Sequence, residues 1–274
     1  MNISENEFQK ISLKFAANLN FLFTEDSASL VEKMRRARQA GFRAVEIPYP
    51  GRDAIEDVHL TQKDTGLEVS LINIALGSKG LAFGSTCISG AEETFKAQLD
   101  ETIVSAKLLN CKKIHIMAGL QELNSSYDDH LRTYVKNLTY AAERMKNADM
   151  IGVIEPINKY ALPEYFMNSY DTAIDVINKI GSPHLKLLVD LFHLQHICGN
   201  ITNTFEKFKS VIGHIQIAQV PHRHEPDVAG ELDFSYVLKL IEESGYTDWI
   251  GCEYKPINTT AEGLKWLSKY GLSL

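Results

Sequence analysis

The chain has no excess of basic residues, no long apolar run and few cysteines, and each shortage excludes a class of protein. Its 28 Lys and Arg against 35 Asp and Glu leave a formal net charge of −7. A general nucleic-acid binder needs a basic footprint, so no nucleic-acid partner is expected. A small anionic substrate stays open, because a few local cations can hold one inside an acidic protein. No apolar run reaches the roughly 18 residues a membrane helix requires, so no membrane partner is expected. The opening MNISENEFQK lacks a continuous apolar stretch, so no secretory leader is expected and a cytoplasmic location is the expectation. The four cysteines (Cys87, Cys111, Cys198 and Cys252) show neither CxxC spacing nor the framework of a small disulfide-rich domain. There is no low-complexity linker, no Pro-rich boundary, and no glycine-rich fingerprint after the first apolar run, which weakens a dinucleotide site. No organic cofactor is expected.

What is present is an alternation. Eight short β-rich runs fall at Leu13–Leu19, Ala44–Pro48, Glu68–Ile74, Lys112–Ala118, Met150–Glu155, Leu185–Asp190, Val211–Ala218 and Trp249–Tyr254. They are nearly continuous in apolar residues, the pattern of parallel strands covered on both faces. Amphipathic helical stretches lie between them: Ser29–Ala40 closed by Gly41, Ala91–Leu109, Tyr127–Met145, Phe234–Glu243 closed by Gly245, and Ala261–Tyr270. Alternating β and α elements predict a parallel sheet. Eight repeats in 274 residues predict an α/β fold of the (β/α)8 barrel type, a single domain over 13–274. Residues 1–12 are polar and read as an N-terminal extension. The glycine-rich stretch Leu76–Gly90 reads as a mobile lid.

Four polar residues stand at the ends of the last four runs: Glu155, Asp190, Gln216 and Glu253. They are separated by 26 to 37 residues, about one βα unit each. In such barrels, active sites lie at the carboxyl ends of the strands. Each residue alone could be a strand-end cap or a surface loop residue; four in succession argue for a site. Three carboxylates without a cation repel one another, and hard divalent ions take oxygen ligands. The set suits Mg2+ or Mn2+ better than Zn2+. Glu155 and Glu253, three strands apart, could serve as acid and base on one substrate. His193, in DLFH, stands beside Asp190 and is expected to touch a substrate oxygen. His115, in KKIHIMAG, is either structural or faces the site. His222, Arg223 and His224 form a cationic cluster, in which Arg223 suits a substrate carboxylate. Glu225 follows in the same loop. Lys79, on the glycine-rich stretch, could close over an anion or stand free in solvent.

With those residues placed, the chain resembles the hydroxypyruvate isomerase family of xylose-isomerase-like barrels. The resemblance runs from FAANLNFLF to GLKWL and is carried by GFRAVEIPYP, IHIMAG, GVIEPIN, VDLFHLQ, GHIQIAQVPHRHEP, GELDF and GCEYKP. It implies a metal shell of Glu155, Asp190, Gln216 and Glu253, with Glu155 and Glu253 as the catalytic carboxylates. Related sugar epimerases carry His at the position of Gln216. The loop departs from the family in reading HRHEP, where glycine is expected beside Arg223. The implied reaction converts hydroxypyruvate to tartronate semialdehyde through an enediolate. A larger 2-oxo acid or a ketose is the alternative substrate. A DNA-repair endonuclease would need a His-rich zinc cluster and a basic face, and a silent binding barrel would be free to lose at least one of the four ligands. Families of this sort often self-associate, so a homo-oligomer is a further expectation.

Overall fold

The computed structural model describes residues 13–77 and 80–274. The proposed extension at 1–12 and Lys79 lie outside the described residues. In chain order the elements are β1 (Lys14–Asn18), α1 (Leu30–Gln39), β2 (Ala44–Ile47), α2 (Ile55–Thr65), β3 (Glu68–Asn73), α3 (Glu92–Leu108), β4 (Lys113–His115), α4 (Tyr127–Ala148) and β5 (Ile151–Ile154). They continue as α5 (Tyr170–Ile180), β6 (Leu185–Asp190), α6 (Leu191–Ile197), α7 (Ile201–Phe208), β7 (Ile212–Ile217), α8 (Phe234–Glu243), β8 (Trp249–Cys252), α9 (Thr260–Gly263) and α10 (Trp266–Lys269). The strands form one closed barrel in the order β1 to β8, every pair parallel, with β8 closing onto β1.

Successive side chains of a strand point to opposite faces, so each apolar run feeds two environments. The outward residues pack under the helices in the main core, with Phe15, Val45, Ile114, Ile154, Val189 and Ile215 among them. Inside the barrel, Leu71, Val153 and Leu188 form a small separate apolar cluster. The rest of the interior is polar for a barrel core: Asn18, Glu46, Lys113, His115, His214 and Gln216 are all buried.

Several helices start where a side chain supplies a cap. Ser29, Ser126 and Ser169 each accept a backbone N–H of the first turn with the side-chain oxygen, and Asp233 accepts two. Gly41 and Gly245 take positive φ just past their helices, as predicted. The final stretch differs from the single helix expected at Ala261–Tyr270. It breaks into α9 and α10, and the break seats Trp266 in the core, its Nε1 donating to Tyr254 Oη at 3.1 Å and its ring edge-on to Phe15. Burying that ring outweighs an unbroken two-turn ladder.

Candidate active site at the carboxyl ends of the strands

The inward alternation of the last five strands builds the site. His115 lies on the face that also carries Lys113. Glu155 continues the inner row of Ile151 and Val153, Asp190 that of Leu188, Gln216 that of His214, and Glu253 that of Gly251. Asp190 also caps α6, its Oδ1 accepting from Phe192 N at 2.9 Å, which leaves Oδ2 for the site. Arg223, in the loop after β7, adopts φ +60. That left-handed backbone is uncommon for a bulky residue and costs about 1–3 kcal/mol, and the pairing of its side chain offsets the cost. Its Nη2 donates to Asp190 Oδ2 at 2.9 Å and to Glu253 Oε2 at 2.8 Å, and its Nε to Glu253 O at 3.2 Å. The guanidinium carbon lies 4.6 Å from the ring centroid of Phe21 and 4.8 Å from that of Phe192. Such stacking suits a weakly hydrated planar cation.

His193 is held by Asn158, whose backbone N donates to Nδ1 at 3.1 Å. Nδ1 is therefore the acceptor, and the proton sits on Nε2. That N–H faces Asp190 Oδ2 at 3.5 Å and Glu155 Oε1 at 3.7 Å. Burial first, then the neighbouring Arg223, hold His193 well below its ordinary pKa, so it is a neutral donor. His115 Nε2 stands 3.4 Å from Glu155 Oε2, and burial pushes His115 down to about 4.

The carboxylates shift the other way. Burial, then the charges of Glu253 and Asp190, raise Glu155 well above the usual range. Burial raises Asp190 against the pull of Arg223, and pushes Glu253 up to about 8. One guanidinium does not compensate three carboxylates packed together, two of them buried and Glu253 nearly so. A divalent cation does, and the donor set is ready for one. Glu155, Asp190 and His193 bring ligand atoms within 4.8 Å of one another. Glu155 Oε1 and Gln216 Oε1 are buried without a hydrogen-bond partner, whereas Gln216 Nε2 is committed to Glu46. The proton on His193 Nε2 makes that nitrogen a poor ligand, so the oxygens of Glu155 and Asp190, with the unpartnered Gln216 Oε1 nearby, are the donors compatible with a hard cation.

The structure thus gathers Glu155, Asp190, Gln216, Glu253, His193, His115 and Arg223. It does not bring Glu225 to them. That carboxylate is buried beneath the loop after β8, accepting from Ile257 N at 3.0 Å. Arg223, read from sequence as a grip for a substrate carboxylate, spends Nη2 on Asp190 and Glu253 and keeps only Nη1, 3.4 Å from His193 Nε2, for a ligand. Beyond it a cavity of about 310 Å³ opens, lined by Phe21, Tyr160, Phe192, His196 and His222. Glu46, Asn158 and Phe192 escaped the sequence reading. Of these only Glu46 carried the signal used for the others, an acid inside an apolar run.

The chain matches the family described as Xylose isomerase-like TIM barrel over residues 34–270. A Drosophila melanogaster protein, provisionally named a hydroxypyruvate isomerase, is 53% identical over 96% of this chain and 100% of its own. An Escherichia coli protein named hydroxypyruvate isomerase is 37% identical over 94% of this chain and 99% of its own. Among solved structures, one titled AP endonuclease, family 2 from Brucella melitensis is 32% identical with a TM-score of 0.87, covering 94% of this chain and 99% of that one. This chain belongs to the hydroxypyruvate isomerase family of the xylose isomerase-like TIM barrels, and it is an enzyme of that family.

Proposed function

We propose that the protein isomerises a small 2-oxo acid, converting hydroxypyruvate to tartronate semialdehyde with the help of Mg2+ or Mn2+. The observation that carries the reading is the pair of buried, unpartnered oxygens, Glu155 Oε1 and Gln216 Oε1, beside the carboxylates of Asp190 and Glu253. Held by these four residues, a divalent ion supplies a Lewis acid for the substrate carbonyl. The protein's own groups do the rest. One of Glu155 and Glu253 takes the proton from the carbon that bears the terminal hydroxyl, and the electron pair moves to form a planar enediolate. The His193 Nε2–H donates to the oxygen where negative charge develops. The other glutamate, or the same one, returns a proton to the former carbonyl carbon, while the proton of the terminal hydroxyl passes to the former carbonyl oxygen, leaving an aldehyde and a new hydroxyl. Both electrons stay in the substrate, so no redox partner is required. The remaining N–H groups of Arg223 Nη1 face the substrate carboxylate, and the aromatic rings beside the guanidinium keep water from it.

The two relatives named for hydroxypyruvate isomerase support the substrate class, and the net charge of −7 argues against the DNA substrate that the name of the Brucella melitensis structure points to. Among the described residues no helix is long and apolar enough to cross a membrane; a cytoplasmic location and self-association are part of this proposal. The test is to strip the protein with chelator, restore Mg2+ or Mn2+, and follow hydroxypyruvate by NMR in D2O. Metal-dependent conversion with deuterium uptake at carbon is expected. Conversion only of four-carbon 2-oxo acids or ketoses would move the substrate and keep the site; conversion without deuterium exchange or metal would overturn the mechanism.

A further inference from the structure

Beneath the site the barrel interior carries one connected run of polar side chains. Glu46, on β2, is buried and accepts three hydrogen bonds. Its Oε2 receives Asn18 Nδ2 at 2.9 Å and Gln216 Nε2 at 2.7 Å, and its Oε1 receives His214 Nε2 at 2.5 Å. Lys113 Nζ stands 3.0 Å from His214 Nδ1 and donates to Asp248 Oδ2 at 2.8 Å, so the ammonium fixes the histidine with Nδ1 as acceptor and Nε2–H as donor. The run draws on β1, β2, β4, β7 and the residue before β8, and reaches the half-exposed carboxylate of Asp248.

A carboxylate only accepts, so Glu46 can hold Gln216 only by its amide nitrogen. The amide oxygen must then point away from Glu46, and it is this oxygen that lies buried without a partner. A site lined by three carboxylates would by itself draw the NH2 group inward and turn the oxygen out. The fold also makes room for this arrangement. Gly251 pairs with Gln216 in register, and a Cβ placed on it would lie 2.1 Å from Glu46 Oε1.

We propose that Glu46 is the positioning residue that locks the Gln216 amide with its oxygen turned into the metal site. The proposal rests on the reading of Gln216 as a ligand. It also says what an isosteric change does. In a Glu46→Gln protein a single amide oxygen stands before three donors, Asn18, Gln216 and His214. Lys113 fixes His214 as a donor, so the oxygen turns to His214 and the new nitrogen faces both Asn18 and Gln216. Gln216 then turns its own oxygen down to accept and its nitrogen into the site.

The experiment is a double-mutant cycle on the full chain, with Mn2+ alone as the probe and its binding read from the EPR signal of the free ion. Melting curves confirm that each variant is folded. Glu46→Gln weakens Mn2+ binding by roughly 10- to 100-fold, the usual effect of losing a partner behind a ligand, and Gln216→Leu weakens it too. In the Gln216→Leu background, Glu46→Gln has no further effect, because its route runs through that amide. Equal losses in both backgrounds would reduce Glu46 to a structural acid and overturn the proposal. So would a Glu46→Gln protein of normal affinity beside a weakened Gln216→Leu, which leaves the ligand reading intact. Normal affinity in Gln216→Leu would instead remove the ligand reading, and this proposal with it. Should Glu46→Gln not fold, Gly251→Ala displaces the same carboxylate with a methyl group, and the same cycle applies.

Discussion

Glu253 and Arg223 show how single residues divide the work of the site. Glu253 pairs with Arg223 yet is pushed up to about 8, because burial and the charge of Asp190 outweigh the pairing. Between pH 6.5 and 8 the folded, metal-free protein therefore keeps a proton that the unfolded chain, at its ordinary value of 4.5, has released. Stability falls as pH rises wherever the folded state binds more protons. Chelated protein is expected to melt at a lower temperature at pH 8 than at pH 6.5, and Mn2+ to bind more tightly at pH 8, since the ligand must lose its proton. Calorimetry and EPR titration at the two pH values check both. Below pH 6.5 the buried, neutral His115 acts in the opposite direction, because an unfolded histidine would take up a proton there. Glu253→Gln leaves an amide of the same shape with no basic oxygen. It is expected to lower kcat by about 10²- to 10⁴-fold, measured as deuterium uptake into hydroxypyruvate, and an unchanged rate would take Glu253 out of the proton transfer.

At the scale of the element, the strand ends were legible and the pairings were not. Each run marked its own polar terminus, because an acid among apolar residues needs a reason to be buried. That rule led to Glu155, Asp190 and Glu253, and applied to AVEI it also marks Glu46. No local pattern marks that Arg223 would reach Asp190, 33 residues earlier, and Glu253, 30 residues later. Nor could a pattern show that Glu225 would turn beneath the loop after β8 to hold Ile257 N. Strand β8 carries its own test. Its Gly251 faces Glu46, held by three donors and unable to yield cheaply, so Gly251→Ala is expected to destabilise the protein by about 1–3 kcal/mol. At roughly 2–4 °C per kcal/mol for a chain of this class, the change is readable in a thermal melt.

For the whole molecule, the site places a repulsive cluster of carboxylates at the carboxyl end of the barrel, which the divalent ion proposed above would relieve. Three carboxylates and Arg223 lie where strands from half the barrel converge, so the proposed metal binding would be coupled to folding stability. Chelation is expected to lower the melting temperature. Restoring Mn2+ to 100 times its Kd is expected to return about 2.7 kcal/mol, and a melt unmoved by metal would count against the four-residue site.

What the sequence by itself determined was the succession of eight apolar runs, the helices between them, and the polar residue at the end of each late run. Periodicity and capping are properties of neighbours along the chain. Only the tertiary structure decided which atoms meet. Closing β8 onto β1 and setting the register of each parallel pair places Asn18 and Glu46 under Gln216, although 28 and 170 residues separate Glu46 from them. That closure turns one amide oxygen and one carboxylate oxygen, out of many, toward an unpartnered space. Contacts across a closed ring depend on register and tilt, which the order of residues in any one strand does not carry.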